Sequence, residues 1–217
     1  LTSQMDELVA GAGRLGISLT PQQVDLFKQF LARLLDWNTR INLTAIRDPR
    51  DIVLKHFLDS LTLLPYLPVT ATSASILDVG TGGGFPGIPL AIVRPTYTFT
   101  LLEATQKKVQ FLETAIRELP LPNAHAIWGR SESLTDQFDV VTARAIGDFS
   151  KTLRLTIPHA KRGGWIILPR GPKDDSAQSE VQKNSSKLGA HIVDRHSLTL
   201  PHSGDRRTIW VFQKNKT

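Results

Sequence analysis

The sequence predicts an α/β protein with a mostly parallel sheet covered by helices on both faces, preceded by a helical extension. Three observations lead to this prediction. Helical spacing of apolar residues dominates the first 70 positions, short apolar runs alternate with helical stretches from Ser75 onwards, and a glycine-rich loop follows the first such run. Strands that alternate with helices typically form parallel sheets. We therefore expect a helical extension over 1–70 and a second unit over 71–217, packed together as one compact molecule.

The extension contains two predicted helices. Thr20 suits the N-cap position and Pro21 the first helical position, and apolar residues then recur at three- and four-residue spacing to about Asn38. A second helix is predicted from 48 or 49 to 64, where prolines end it. The small and polar segment 69–75 is predicted to be a linker.

The strands of the second unit are predicted from β-rich apolar runs bounded by turn residues. They are expected over 76–79, 97–102, 124–128, 138–145, 165–168 and 208–213. Helices are expected over 88–93 and 107–119. The polar stretch 174–188 is either a surface helix or a mobile segment.

The loop after the first strand is the most informative stretch. It contains the spacing Asp78-x-Gly80-x-Gly82-x-Gly84 and leads through Pro86 into a helix. Glycines let the backbone turn sharply and approach a ligand without a Cβ in the way. A helix that starts here offers unpaired N–H groups to an anion. The loop therefore predicts a nucleotide-like ligand.

Two ligand classes use such loops. The dinucleotide fingerprint is formally matched by Gly82-x-Gly84-x-x-Gly87, but its first glycine should follow the strand almost directly. Counting from Gly80 places Phe85 where the third glycine belongs. The alternative is the first motif of class I S-adenosylmethionine-dependent methyltransferases, which starts at Asp78, whose carboxylate is then expected to bind the amino group of the cofactor.

An acidic residue also ends the second predicted strand. Glu103 follows Asp78 by twenty-five positions, and a carboxylate at this place can accept hydrogen bonds from both hydroxyls of a ribose. Both cofactor classes share this feature. Glu103 therefore predicts a ribose-bearing ligand without distinguishing between them.

Composition excludes several functions. The 217 residues include 26 Lys and Arg, 20 Asp and Glu, and no Cys, which rules out disulfides, thiolate zinc sites, iron–sulfur clusters and a cysteine nucleophile. Apolar stretches are far shorter than a membrane span, and the start lacks the features of a signal peptide. A cytoplasmic protein is expected. Net charge is zero over 1–70, −2 over 71–140 and +8 over 141–217. The positive last third favours a polyanion such as nucleic acid, and a lysine-rich solvated surface is the alternative.

Several segments resemble one family, the bacterial 16S ribosomal RNA guanine-N7 methyltransferases, also called glucose-inhibited division protein B. The run from Asp78 to Ile92 resembles its signature. Further matching segments are Trp37-Asn38, Ile41-Asn42-Leu43-Thr44, His56-x-x-Asp59-Ser60-Leu61, Leu101-Leu102-Glu103, Lys107-Lys108-Val109-x-Phe111-Leu112, Gly129-Arg130-Ser131-Glu132, Ala143-Arg144-Ala145 and Gly204-Asp205-Arg206-Arg207. Two positions depart from the family pattern: Arg170 replaces a lysine, and Ser131 replaces an alanine.

The resemblance implies a class I, Rossmann-like methyltransferase fold with S-adenosyl-L-methionine as methyl donor and S-adenosyl-L-homocysteine as product. The implied substrate is a guanine of 16S ribosomal RNA, free or in the small-subunit particle, with no membrane or metal partner and a monomeric enzyme. The cofactor-binding residues predicted from the loop and the resemblance are Asp78, Gly80, Gly82, Gly84, Phe85, Glu103, Ala104, Thr105, Ser131, Glu132 and Arg144. At Ser131 the contact is expected through the main chain.

Arg144, at the tip of the fourth predicted strand, is the preferred active-site residue, and it can bind cofactor, guanine O6 or a phosphate. His56 is interpreted as a helix histidine packed under the sheet. The four tryptophans, Trp37, Trp128, Trp165 and Trp210, are interpreted as core or interface residues rather than as base-stacking platforms. Candidate RNA-binding residues are Lys151, Arg154, Lys161, Arg162, Arg170, Lys173, Arg206 and Arg207.

The chemistry agrees with the absence of cysteine. Guanine N7 carries an in-plane lone pair, so alignment is the main requirement, whereas cytosine-C5 methylation needs a cysteine nucleophile. Alternatives are an NAD(P)-dependent oxidoreductase, a methyltransferase acting on another RNA or a small molecule, and an RNA-binding protein without catalytic activity.

Overall fold

Seven strands form one sheet in the computed structural model, which describes residues 2–67, 72–144, 146–174 and 178–216. In chain order they are β1 (Ser75–Val79), β2 (Thr98–Glu103), β3 (Ala124–Trp128), β4 (Phe138–Ala143), β5 (Ala160–Arg170), β6 (Ala190–Thr199) and β7 (Arg206–Lys214). Their order across the sheet is β3-β2-β1-β4-β5-β7-β6.

The first five strands are parallel and place their carboxyl ends at one edge. The central strand β1 pairs with β2 and β4, so that Asp78 lies opposite Leu101 on one side and Thr142 on the other. Strand β7 runs antiparallel between β5 and β6. In an open α/β sheet ligands bind at the carboxyl edge. The predicted fold class is confirmed, and this edge is where a site is expected.

Helices cover the sheet and build the N-terminal part. They are α1 (Thr2–Arg14), α2 (Pro21–Trp37), α3 (Pro49–Ile52), α4 (Asp59–Leu61), α5 (Gly87–Val93), α6 (Gln106–Glu118), α7 (Phe149–Thr156) and α8 (Gln178–Lys187). The predicted cap of α2 is present: Thr20 Oγ1 accepts from the Gln23 amide at 3.2 Å, and Gln23 Oε1 accepts from the Thr20 amide at 2.9 Å. This reciprocal pair is a capping box and fixes the start of the helix.

The second predicted helix is not uniform. Between α3 and α4 the backbone forms a π-helical turn over Val53–Leu58, and the last residues, Leu64–Tyr66, form a 3-10 turn. A π turn widens the helix and re-aims the side chains on it, and such turns are frequent at functional sites. Here it carries His56, and Asp59 follows directly.

Aromatic packing joins the N-terminal helices to the rest. The ring of Phe30 on α2 lies 5.3 Å from that of Phe57, 5.5 Å from that of Phe85 and 6.5 Å from that of Phe111 on α6, centroid to centroid. All four side chains are buried, and each contributes roughly 1.5–3 kcal/mol by leaving water. The glycine-rich loop therefore rests on the helical extension.

Some elements differ from the sequence-based expectations. Helices α1 and α7 and strand β6 were not predicted, and β5 begins five residues earlier than the expected start at Trp165. Most side chains of β6 are exposed or half-buried, so apolar alternation is weak there. The end of the expected strand 138–145 and part of the 69–75 linker lie outside the described residues.

None of the helices in the described ranges has the length and apolar character needed to cross a membrane.

Candidate active site

The glycine-rich loop leaves the carboxyl end of β1 in a tight turn. Gly80 adopts a φ of +66°, and a Cβ there would lie 2.5 Å from Ile146 Cγ2, so a side chain is excluded. Gly82 also has a positive φ, +60°, but a Cβ on it would face open space, with no atom closer than 4.0 Å. The loop thus leaves room beside Gly82 that only a residue without a side chain preserves.

Asp78 lies fully buried beneath this loop. Its Oδ2 accepts hydrogen bonds from Thr81 Oγ1 at 2.6 Å and from the Gly87 amide at 2.8 Å. Burial raises the pKa of Asp78 to about 7, against the opposing effect of these two hydrogen bonds. Oδ1 has no partner within the described part of the chain. Oδ2 of Asp78 therefore stabilises the loop. Contact of Asp78 with the amino group of the cofactor stays a prediction, and Oδ1 is the atom that would make it.

Glu103 ends β2 and is also buried. Its Oε2 accepts from the Gly82 amide at 3.0 Å, and its Oε1 accepts from the Thr105 amide at 2.8 Å. The carboxylate is thereby oriented beside the glycine-rich loop, as a ribose-binding acid requires.

A small pocket of about 170 Å³ opens between the ends of β1, β2 and β3. Its walls include Gly80, Ala104, Ser131, Glu132 and Lys151. The Ser131 hydroxyl is occupied elsewhere, since Oγ lies 2.8 Å from the Leu155 carbonyl and 2.8 Å from His159 Nε2. This agrees with the expectation that Ser131 offers its main chain to a ligand.

A larger cavity, of about 660 Å³, lies on the other side of the segment that follows β4. Ile146 lines the small pocket, whereas Gly147 lines the cavity. Five cationic side chains and two acidic ones stand in its wall: Lys55, Arg144, Arg170, Lys173, Arg207, Asp59 and Asp174. The cavity is therefore positively charged and suits an anionic ligand.

Arg144 is fixed from three directions at the end of β4. Nη1 donates to the Lys55 carbonyl at 3.1 Å and to Asp59 Oδ2 at 3.2 Å, and Nη2 lies 2.7 Å from His56 Nδ1. The second oxygen of Asp59 accepts from Arg207 Nε at 2.9 Å. We call these four side chains, Arg144, His56, Asp59 and Arg207, the arginine cluster.

His56 serves as an acceptor in this cluster. The 2.7 Å contact with Arg144, which can only donate, makes Nδ1 the unprotonated nitrogen, although the Lys55 carbonyl also lies 3.1 Å from it. Nε2 then donates to Thr44 Oγ1 at 2.7 Å. Burial, and then the charge of Arg144, lowers the pKa of His56 to about 3. The ring also stacks on Phe85, with centroids 4.5 Å apart. His56 is thus a neutral, buried helix histidine with both ring nitrogens hydrogen-bonded, in agreement with its interpretation, and it also lines the large cavity, which was not expected.

The comparisons with known proteins bear on this arrangement. Residues 23–209 match the family model of rRNA small subunit methyltransferase G. The chain belongs to this family. Proteins named ribosomal RNA small subunit methyltransferase G from Pelotomaculum thermopropionicum and Desulforamulus reducens are 38% and 37% identical to it, over 94% and 96% of this chain and 87% and 89% of theirs.

Solved structures show the same fold at low identity. A methyltransferase from Pyrococcus furiosus superimposes with a TM-score of 0.59 at 15% identity, covering 87% of this chain and 98% of that one. M. jannaschii TYW2, solved in complex with AdoMet, gives 0.54 at 17% identity, over 67% of this chain and 69% of that one. Membership of the rRNA small subunit methyltransferase G family thus rests on sequence, and the class I fold on both.

Five of the eleven predicted cofactor residues line one of the two cavities. Gly80, Ala104, Ser131 and Glu132 line the small pocket, whereas Arg144 lines the large one. The side chain of Phe85 packs in the core under the Arg144 guanidinium, 5.2 Å from ring centroid to Cζ. The residues present fit S-adenosylmethionine: the Glu103 carboxylate binds the Gly82 amide, beside the open space at that glycine, and their chain neighbours Gly80, Leu102 and Ala104 line the small pocket.

Sequence reasoning missed three residues of the large cavity as site residues, namely Lys55, His56 and Asp59. The signal was present in the family-like segment His56-x-x-Asp59-Ser60. Its members come from the helical extension, so chain order gave no indication that they meet the end of β4.

The candidate RNA-binding residues are not gathered in one place. Lys173 and Arg207 line the large cavity, and Lys151 the small pocket. Lys161 and Arg162 lie at the amino end of β5, the opposite edge of the sheet, where Lys161 pairs with Asp139 at 2.7 Å. Contact of Lys161 and Arg162 with RNA stays a prediction, and neither residue lines one of the two cavities.

Three further candidates have distinct environments. Arg154 on α7 and Arg206 at the start of β7 are exposed. Arg170 is 8% exposed and engaged on all sides: it pairs with Asp174 at 2.6 Å, donates to Thr152 Oγ1 and the Gly147 carbonyl, and covers the Phe149 ring. Arg170 therefore builds the cavity wall rather than offering a free charge.

Proposed function

We propose that this protein transfers the methyl group of S-adenosylmethionine to N7 of a guanine in 16S ribosomal RNA. The family supports this reaction, and one structural observation carries it: the small pocket next to the oriented Glu103 and the cationic cavity that contains Arg144 are lined by consecutive residues, Ile146 and Gly147. A ribose-bearing cofactor and an RNA nucleotide can therefore approach each other across the end of β4.

The reaction requires little acid–base catalysis from the protein. When bound, S-adenosylmethionine supplies an electrophilic methyl group on a sulfonium. Guanine N7 attacks through a lone pair without first losing a proton, so the enzyme's main contribution is alignment. The two oxygens of Glu103 bind the ribose of the cofactor. Because Gly82 has no side chain, the cofactor can approach the backbone of the loop closely. His56, with both ring nitrogens hydrogen-bonded, is a positioning residue and not a base.

Arg144 is the residue best placed to touch the substrate. A guanidinium has five N–H donors, and three of them are used within the described part of the chain. The remaining two are available to an acceptor such as guanine O6 or a phosphate. Because the other three donors are bound, the guanidinium plane is held in one orientation.

The volume and charge of the large cavity suit a nucleotide turned out of its stack. Its 660 Å³ lies in the range of small-ligand sites. Enzymes that modify a base bring it into such a pocket, and Lys55, Lys173 and Arg207 can neutralise the adjoining phosphates.

The helical extension and the sheet share one hydrophobic core and the arginine cluster, which supports their action as one unit over 1–70 and 71–217. Action as a monomer in the cytoplasm, on either free RNA or the assembled small subunit, stays a prediction.

Methyl transfer from labelled S-adenosylmethionine tests the proposal. We expect label in 16S RNA or 30S particles lacking the modification, at a guanine whose N7-methyl group is mapped by aniline cleavage. Label confined to tRNA, to a small molecule or to another atom of guanine would contradict it. Calorimetry with NAD is the companion measurement, since tight NAD binding without S-adenosylmethionine binding would support the oxidoreductase alternative instead.

A further inference from the structure

Trp128, the last residue of β3, lies mostly in solvent. It is 61% exposed, so the expected position in the core is wrong for this residue, and the expected position in an interface stays a prediction. The other tryptophans differ, since Trp210 is fully buried and Trp37 and Trp165 are half-buried. An exposed tryptophan offers an aromatic face on which a nucleic-acid base can stack.

The exposed ring is held in place. Its Nε1–H donates to the Ala104 carbonyl at 3.1 Å, and the backbone of Trp128 pairs with that of Glu103 on β2. Ala104 and Gly129, the residue that follows Trp128, both line the small pocket. Trp128 therefore presents a fixed aromatic surface at the carboxyl edge of the sheet, beside the cofactor pocket.

Two exposed cations lie on segments adjacent to Trp128, whose cross-strand neighbour Glu103 is buried. Lys107 at the start of α6 and Arg130 after β3 are both exposed. Neither forms an ion pair within the ranges that the structure describes. Glu132, also exposed, is the nearest acidic residue along the chain after Trp128. An aromatic face accompanied by cations is the combination that binds single-stranded RNA, through base stacking and phosphate contacts.

We propose that Trp128 stacks on a base of the RNA substrate that flanks the methylated guanine. The target guanine itself is excluded, because Trp128 and Arg144 lie at the ends of β3 and β4, three strand positions apart, or about 14 Å. The proposal rests on the proposed function and adds to it a second contact, on the opposite side of the cofactor pocket from the large cavity.

Two substitutions separate stacking from the hydrogen bond to Ala104. Trp128→Ala removes both, whereas Trp128→Phe keeps an aromatic face and removes the N–H. We expect Trp128→Ala to raise KM for RNA by about 5- to 150-fold, the usual range for one stacked base, with an unchanged Kd for S-adenosylmethionine. Trp128→Phe should restore most of the affinity. Val193→Ala is the matched control, since Val193 is 48% exposed on β6 at the far end of the sheet.

Fluorescence gives a readout that a merely structural role would not change. RNA should quench the emission of the wild-type protein, and this quenching should be largely lost in Trp128→Phe although that variant still binds. An unchanged KM in Trp128→Ala would overturn the inference, as would equal defects in both variants or a weaker Kd for S-adenosylmethionine. Failure of the wild-type enzyme to methylate 16S RNA would instead overturn the proposed function.

Discussion

Arg144 donates a hydrogen bond to Nδ1 of His56 over 2.7 Å and thereby connects the end of β4 to the π-helical turn of the N-terminal extension. The histidine can accept this bond only while it is neutral. Its burial under Phe85 and the neighbouring guanidinium both favour the neutral form. The orientation of Arg144 therefore depends on residues far away in the chain.

The pairing of Asp59 with two arginines predicts a large effect of its removal. Asp59→Asn leaves the guanidinium groups of Arg144 and Arg207 without their counter-ion, and the carboxylate that they share is only 3% exposed. Breaking such a pair from one side costs about 3 kcal/mol. We expect urea unfolding to show a loss of this size, together with a strong decrease in kcat.

Asp51→Asn provides the comparison for this variant. Asp51 pairs with Lys55 at 2.9 Å, but both side chains are more than a third exposed, so its loss should cost less than about 1 kcal/mol. Equal effects of the two substitutions would show that the arginine cluster is not a buried network.

The pH dependence of stability should contain two opposing contributions. His56 has a pKa of about 3 in the folded protein, below the ordinary 6.5, so its contribution to stability is lost as pH falls from 6.5. Asp78 has a pKa of about 7, above the ordinary 3.8, so its contribution is lost as pH rises through that interval. Between about pH 4 and 6.5 the two slopes oppose each other, each at most about 1.4 kcal/mol per pH unit.

Single substitutions should reveal each slope. Relative to the wild-type protein, the free energy of unfolding of His56→Asn should decrease more with rising pH, and that of Asp78→Asn should increase more. Urea titrations at several pH values across this interval provide the measurement. Parallel curves for all three proteins would show that neither group is shifted in the folded state.

Gly82→Val should abolish binding of S-adenosylmethionine. The valine side chain would occupy the open space beside the loop, and the φ of +60° is unfavourable for a β-branched residue. Gly189→Val controls for the strain, since Gly189 has a φ of +76° and a Cβ placed on it would meet nothing within 4 Å. Calorimetry should show binding lost only at Gly82. If Gly82→Val retained binding, the pocket would be wrongly assigned.

Arg170→Lys, which restores the residue expected from the family pattern, should destabilise this protein. A lysine keeps the charge but cannot reach Asp174, Thr152 and the Gly147 carbonyl together. We expect a loss of about 2 kcal/mol in the free energy of unfolding and a nearly unchanged Kd for S-adenosylmethionine. A fully stable variant would mean that these contacts contribute little.

Much of the cofactor half follows from local sequence. The spacing Asp78-x-Gly80-x-Gly82 is required by the backbone conformation of one turn, and Glu103 stands at the end of one strand. The predicted strands 97–102 and 124–128 lie within one residue of the observed ones. Such features are determined by neighbours in the chain and are therefore visible without a structure.

The rest depends on contacts between distant segments. Nothing local indicates that the helix around His56 widens into a π turn, or that Asp59 meets Arg207 from β7. The same holds for Arg170, which resembles a surface charge in sequence and is buried by partners from three segments. Exposure of Trp128 was missed because it depends on β3 being the outer strand of the sheet.

The π-helical turn also has a consequence for protein engineering. Lys55, His56 and Asp59 hold Arg144 in place at the end of β4. The class I core of this enzyme therefore cannot be separated from the N-terminal helices without losing these contacts. A chimera that transplants residues 72–216 onto another N-terminal region would have to carry the stretch from Thr44 to Ser60 with it. Otherwise the transplanted core would receive its cofactor and leave Arg144 unanchored.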